Sequence, residues 1–129
     1  MTAVPLVYDA GALLAAERNN RKFLVLHNTA LLAGRNVLVP TPVLAQAWRG
    51  GAGQAVLAKV LKGCEVLPTE EEIAKHAGVL LGRSGTADAV DAIVVATAVK
   101  IAATVVTSDP KDLQALSDAA AFHLGLVEV

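Results

Sequence analysis

Aromatic residues are almost missing from this chain: one Trp, one Tyr and two Phe among 129 residues, or 3%. Hydrophobic residues nevertheless make up 54%, so the core has to be built from Ala, Val and Leu. An aliphatic core of this kind suits a parallel sheet covered by helices, whose strands are buried on both faces and read as continuous apolar runs. It suits a β-sandwich poorly. Cysteine is nearly absent too. Cys64, the only one, permits no intramolecular disulfide, points to a reducing compartment such as the cytoplasm, and reads as a small buried hydrophobe. A net charge of one sign is also lacking: the formal value of −1 gives no whole-chain footprint for a polyanion and counts against nucleic-acid work.

Two further absences concern membranes and export. The opening MTAVPLVYDAG has neither a basic n-region nor a long apolar h-region, so no signal peptide is expected. The greasiest stretch, residues 89–106, is interrupted by Asp91 and Lys100, whereas a bilayer-spanning helix needs about 20 mostly apolar residues. That stretch is expected to form a buried helix followed by a buried strand in a soluble protein without a membrane partner.

What is present alternates between short apolar runs and helical patterns within a length that suits one domain, residues 1–129. Strands are predicted at Leu6-Val7-Tyr8, Val37-Leu38-Val39, Glu65-Val66-Leu67, Thr104 to Thr107 and, as a fifth, Leu126-Val127-Glu128. Helices fill the intervals: one after Ala10-Gly11, then Arg21 to Leu32, Thr41 to about Gly50, Gln54 to Leu61, one from Thr69, Ala87 to Ile101, and Lys111 to Ser117. Thr41 followed by Pro42 reads as an N-cap with proline in the first turn, and Thr69-x-x-Glu72 as a capping box. The three glutamates 70–72 then have a structural role. This alternation predicts an α/β domain with a mainly parallel sheet of four to five strands.

In such sheets ligands bind beyond the carboxyl ends of the strands. Asp9 follows the first strand and Asp109 the fourth, while Asp88 and Asp91 open the long apolar helix three residues apart, on one face. Each has a plain structural reading, as an N-cap or a first-turn carboxylate that favours the helix dipole. Together they ask for more, because converging carboxylates raise one another's pKa unless a cation neutralises them. Oxygen ligands without His or Cys select Mg²⁺ or Mn²⁺, and His27, His76 and His123 have no metal-ligand spacing. A metal ion there would acidify a water and neutralise charge on a phosphodiester as it breaks. Asp9 and Asp109 would supply inner oxygens, Asp91 would complete the site or position the water, and Thr107 and Ser108 would hold a carboxylate rotamer.

Three segments, VYDAGALLA, DAIVVATAV and VVTSDPKDL, taken in order and spacing, closely resemble the PIN domains of VapC-type toxins. The resemblance covers essentially the whole chain. It implies a three-layer α/β/α fold and Mg²⁺- or Mn²⁺-dependent endoribonuclease activity on RNA. It also implies a VapB-like antitoxin as inhibitory partner and a homodimer as the working unit. By position, Asp9, Asp91 and Asp109 match the family's acidic residues. The family usually places a glutamate in the helix after the second strand, where TPVLAQAWRG has Gln46. Asp88, one turn before Asp91, is a candidate to compensate, with Gln46 either supporting the metal ligands from behind or contacting the substrate. Arg49, beside Trp48, either stacks on a base or anchors an antitoxin helix. Arg18, Arg21, Lys22, Arg35 and Arg83 are candidates to rim the acidic cleft. The alternative reading is a PIN-fold binding module whose chemistry Gln46 has weakened or removed. A phosphoacceptor receiver domain fits poorly, since it expects paired acids after strand one and a lone Asp after strand three.

Overall fold

The computed structural model describes residues 3–129. Five strands and seven helices are found among them: β1 Leu6–Tyr8, α1 Ala10–Glu17, α2 Arg21–Leu32, β2 Val37–Pro40, α3 Thr41–Ala47, α4 Ala55–Leu61, β3 Glu65–Leu67, α5 Glu71–Ser84, α6 Ala89–Ile101, β4 Thr104–Thr107, α7 Pro110–Ala119 and β5 Leu126–Glu128. A single 3-10 turn, Ala52–Gln54, leads into α4. The strands form one wholly parallel sheet in the order β3-β2-β1-β4-β5.

The two central strands explain the apolar runs. Leu6, Val7 and Tyr8 of β1 are at most 1% exposed, and Val105 and Val106 of β4 are fully buried beside them. The edge strand β3 is different: Glu65 and Val66 face solvent, as an outer strand with one neighbour allows. The chain moves from β1 through β2 to β3, then crosses back to β4 and on to β5. With right-handed crossovers, α1–α4 cover one face and α5–α7 the other. The packing agrees, since α1 touches α2, α3 and α4 while α5, α6 and α7 touch one another. Helix α6 is nearly apolar all round, with Ala92, Val94, Val95, Ala96, Thr97 and Ala98 buried. Among the described residues no helix is long and apolar enough to cross a membrane.

Two of the four aromatics, Tyr8 and Phe23, pack together with a histidine. Tyr8 stands edge-on to Phe23, whose ring stacks on His27, and the Tyr8 hydroxyl and His27 Nδ1 share a buried 2.7 Å hydrogen bond. Burial pushes the His27 pKa down and the Tyr8 pKa up. Cys64 is only half-buried, but its thiol donates to Val60 O and burial pushes its pKa to about 12, so it is inert.

Two capping expectations are corrected. Thr41 is the first residue of α3 rather than its cap; Pro40 is the cap and offers no side-chain acceptor. Helix α5 starts at Glu71 with Glu70 as cap, and no capping box forms. The Glu72 carboxylate goes to Lys100 Nζ on α6, 3.1 Å away, instead of turning back to the backbone. The Thr69 hydroxyl is left buried without a partner.

Candidate active site

Parallel strands deliver all their carboxyl ends to one edge, and here β2 and β4 flank β1 on opposite sides. Connections leaving β1 and β4 therefore diverge, opening the crevice in which such sheets bind ligands. A pocket of about 210 Å³ lies there, lined by Asp9, Asp88, Asp91, Asp109, Asp112 and the Thr107-Ser108 turn, with Ala10 and Gly11 as its floor. Three segments distant in sequence supply the five carboxylates: β1–α1, the start of α6, and β4–α7. A larger cavity of about 430 Å³ beside α7 and β5 has only Asp118 and His123 as ionisable lining, so size does not identify the chemistry here.

Three of the five aspartates are placed by helix capping. Asp9 caps α1, its Oδ1 accepting from the Ala12 amide at 2.9 Å. Asp88 caps α6 by accepting from the Asp91 amide at 3.0 Å, and Asp109 caps α7 by accepting from the Lys111 amide at 3.1 Å. The structural and chemical readings thus coexist: the three residues that cap these helices also line the pocket. Asp91 and Asp112 lie in the first turns of α6 and α7. Thr107 is buried, and its hydroxyl accepts from the Asp109 amide at 3.1 Å and also hydrogen-bonds the Asp9 carboxylate.

The electrostatics show what this arrangement costs. The Asp91 pKa is pushed up to about 7, first by burial, then by the charges of Asp88, Asp9 and Asp112. The Asp9 pKa is also raised, mainly by burial, with the Thr107 hydroxyl and the Ala12 and Gly11 amides opposing and Asp112 adding to the rise. Uncompensated carboxylates shift in this way when no cation is near. Hard oxygens are the right donors for Mg²⁺ or Mn²⁺. Among the described residues, however, no three of these side chains already close on a common point as a metal cage.

Asp9, Asp88, Asp91, Asp109, Thr107 and Ser108 therefore come together as the sequence suggested, and Asp112 joins them. Its signal was the i, i+3 spacing from Asp109, the same spacing that draws Asp88 and Asp91 together. Gln46 is exposed on α3 and does not line the pocket. Nor does any of Arg18, Arg21, Lys22, Arg35, Arg49 or Arg83. Arg18 and Arg35 turn to the carbonyls of Leu14 and Val4, and Arg49 Nη1 to those of Ala45 and Trp48.

Gly11 is the contact point between the two halves of the site. A Cβ there would overlap the Ser108 hydroxyl and lie 3.1 Å from Ser108 Cβ and 3.2 Å from its backbone nitrogen. Rotating the hydroxyl does not relieve the last two contacts. Gly11→Ala is expected to push the β4–α7 turn away from Asp9, destabilising the fold by about 1–3 kcal/mol and weakening Mn²⁺ binding. Thermal melts with and without Mn²⁺ check both; unchanged melting in both conditions contradicts the contact.

The sequence profile of the PIN domain matches residues 6–118. No curated protein matches the chain in sequence. Solved structures do match in fold. VapBC2 from Rickettsia felis, bound to a DNA fragment from its promoter, is similar with a TM-score of 0.72 at 18% identity, over 98% of this chain and 99% of that one. FitAcB from Neisseria gonorrhoeae gives 0.69 at 16% identity, over 95% and 96%. A toxin-antitoxin complex from Klebsiella pneumoniae gives 0.67 at 17% identity, over 96% and 99%.

Proposed function

The chain belongs to the PIN-domain family, and from that premise we propose that it is a Mg²⁺- or Mn²⁺-dependent endoribonuclease, the toxin of a toxin-antitoxin pair. PIN domains are generally nucleases that use divalent metals. The observation that carries the reading is the convergence of five aspartates from three segments in one crevice, with Asp9 and Asp91 both shifted upward in pKa. The fold neighbours from Rickettsia felis and Klebsiella pneumoniae are toxin-antitoxin complexes, which supports a VapB-like antitoxin as partner; a homodimer as the assembled form is part of the proposal.

A divalent ion bound here supplies charge neutralisation at the phosphate and an acidified water. The chain's own part is positioning. Asp9, buried and held by the Ala12 amide and the Thr107 hydroxyl, offers a fixed oxygen. Asp91, whose pKa burial and the charges of Asp88, Asp9 and Asp112 raise to about 7, would be one of the carboxylates that hold the ion, and a bound cation would favour its ionised form. Asp88, Asp109 and Asp112 stand at the exposed rim, where they can complete coordination or orient the water. The test is cleavage of single-stranded RNA with Mn²⁺, with DNA of the same sequence and EDTA as controls. Cleavage of RNA alone, lost in EDTA, is expected; no cleavage of any RNA at millimolar Mn²⁺ overturns the assignment.

One observation favours the second reading, a PIN-fold binding module. Gln46, in the helix where the family's glutamate belongs, is exposed and outside the pocket, so α3 contributes no carboxylate. Calorimetry with Mn²⁺ separates the two. Heat of binding that disappears in Asp9→Asn supports the enzyme, and absence of any heat at millimolar Mn²⁺ supports the module.

A further inference from the structure

The net charge of −1 conceals a strong division. Residues 10–64 carry seven Lys and Arg against a single acid, Glu17, whereas residues 65–129 carry ten acids against four Lys and Arg. Because α1–α4 cover one face of the sheet and α5–α7 the other, this division is spatial: one helical layer is cationic, the other anionic. On the cationic layer, at the end of α3, stands the one tryptophan of the chain, Trp48, 43% exposed.

The loop that carries it is held with unusual care. Gln54 is a buried glutamine, 4% exposed, whose side chain makes four hydrogen bonds. Its Oε1 accepts from the amides of Arg49 at 2.7 Å and Gly50 at 3.0 Å, and its Nε2 donates to Ala47 O at 2.8 Å and Glu17 Oε1 at 3.1 Å. The single acid of the cationic layer is thus occupied inside the structure. Gly50 has a φ of +77° that suits glycine, and a Cβ added there would come within 3.6 Å of Trp48 Nε1, so the indole leans over it. The Arg49 guanidinium folds back onto Trp48 O at 2.8 Å, beside the ring's own backbone. A fully satisfied buried amide thus fixes the backbone of the loop from which the indole and the guanidinium project.

We propose that Trp48 and Arg49 form a base-stacking platform for single-stranded RNA, braced by Gln54 and fed by the cationic α1–α4 layer. This rests on the ribonuclease reading above. An aromatic face stacks on any unpaired base without sequence preference, and surrounding cations hold the backbone. The bracing also ties this loop to the far end of the helix that starts at the site. Glu17, which Gln54 grips, ends the helix that Asp9 begins, and eight residues of α-helix span about 12 Å. The platform thus lies toward the end of α1 opposite Asp9, about a helix length from the aspartates, and holds a nucleotide that flanks the cleaved bond rather than the bond itself. Trp48 and Gln54 are positioning residues, not catalytic ones.

Because Trp48 is the chain's one tryptophan, its fluorescence reads the contact directly, in EDTA and with no turnover. A short oligouridylate is expected to quench it, a duplex of the same length and a polyglutamate peptide to leave it unchanged. Trp48→Ala should weaken oligouridylate binding, and raise KM for single-stranded RNA, roughly 5- to 150-fold, with kcat preserved and Trp48→Phe restoring most of the loss. Gln54→Met should weaken binding although the indole is intact. Absence of quenching, or equal quenching by duplex, overturns the platform even where RNA is cleaved. Quenching by polyglutamate assigns the surface to an acidic protein partner and overturns it too. Failure of wild type to cleave RNA, with oligouridylate quenching intact, sinks the enzyme reading instead and leaves the binding surface demonstrated.

Discussion

Asp91→Asn is expected to lower RNA cleavage by about 10²–10⁴-fold while raising the melting temperature of the metal-free protein at pH 8. The two effects have one cause. At pH 8 the Asp91 carboxyl, with a pKa near 7, is ionised in a half-buried place facing the charges of Asp88, Asp9 and Asp112. Removing its charge relieves that repulsion, and asparagine keeps the shape. The activity loss follows because a metal held by its carboxylates contributes several kcal/mol to stabilising the charge of the transition state, and each 1.36 kcal/mol is a factor of ten in rate. Asp9→Asn should lose activity similarly and keep the cap on α1, since asparagine is as good an N-cap as aspartate. Opposite movement of activity and stability is the signature of groups kept for function. A variant that melts lower and cleaves like wild type shows that these aspartates serve the fold alone.

The sequence made the sheet legible and the site largely so, for a physical reason common to both. Strands buried on two faces have to be continuous apolar runs, so LVY, VLV and TVVT stood out against their surroundings, and all five strands lie where the runs were read. Asp9 and Asp109 were found because each interrupts the chain where an apolar run ends. Asp112 was missed because a first-turn carboxylate on an amphipathic helix looks ordinary; only the fold shows that α7 starts beside α1 and α6. Local signals failed where tertiary partners outbid them. Thr69 and Glu72 have capping-box spacing, but Lys100 on α6 takes the glutamate. Whole-chain charge was the least informative quantity, since a sum of −1 cannot reveal two opposite layers.

Metal and pH are expected to act on stability through the same carboxyl. Unfolded, Asp91 loses its proton near pH 3.9; folded and metal-free, it keeps it to about pH 7. Between those values the folded chain binds more protons than the unfolded one, so the contribution of Asp91 is present in full below about pH 4 and lost as pH rises through 7. His27 works in the other direction. Its folded pKa is lowered by burial, so the native state resists protonation, and stability from its neutral ring falls away as pH drops below about 6.5. The difference between wild type and Asp91→Asn cancels the histidine and isolates the carboxyl. That difference, measured by urea unfolding in EDTA, should grow more unfavourable to wild type from pH 5 to pH 8. Mn²⁺ should reverse it, because a ligand at 100 times its Kd adds about 2.7 kcal/mol and binds best once Asp91 is ionised. Stabilisation of wild type by Mn²⁺ is then larger at pH 8 than at pH 5, with proton release on binding at pH 6. A Mn²⁺ effect equal at both pH values, or equal in Asp91→Asn, means that the cation does not meet this carboxylate.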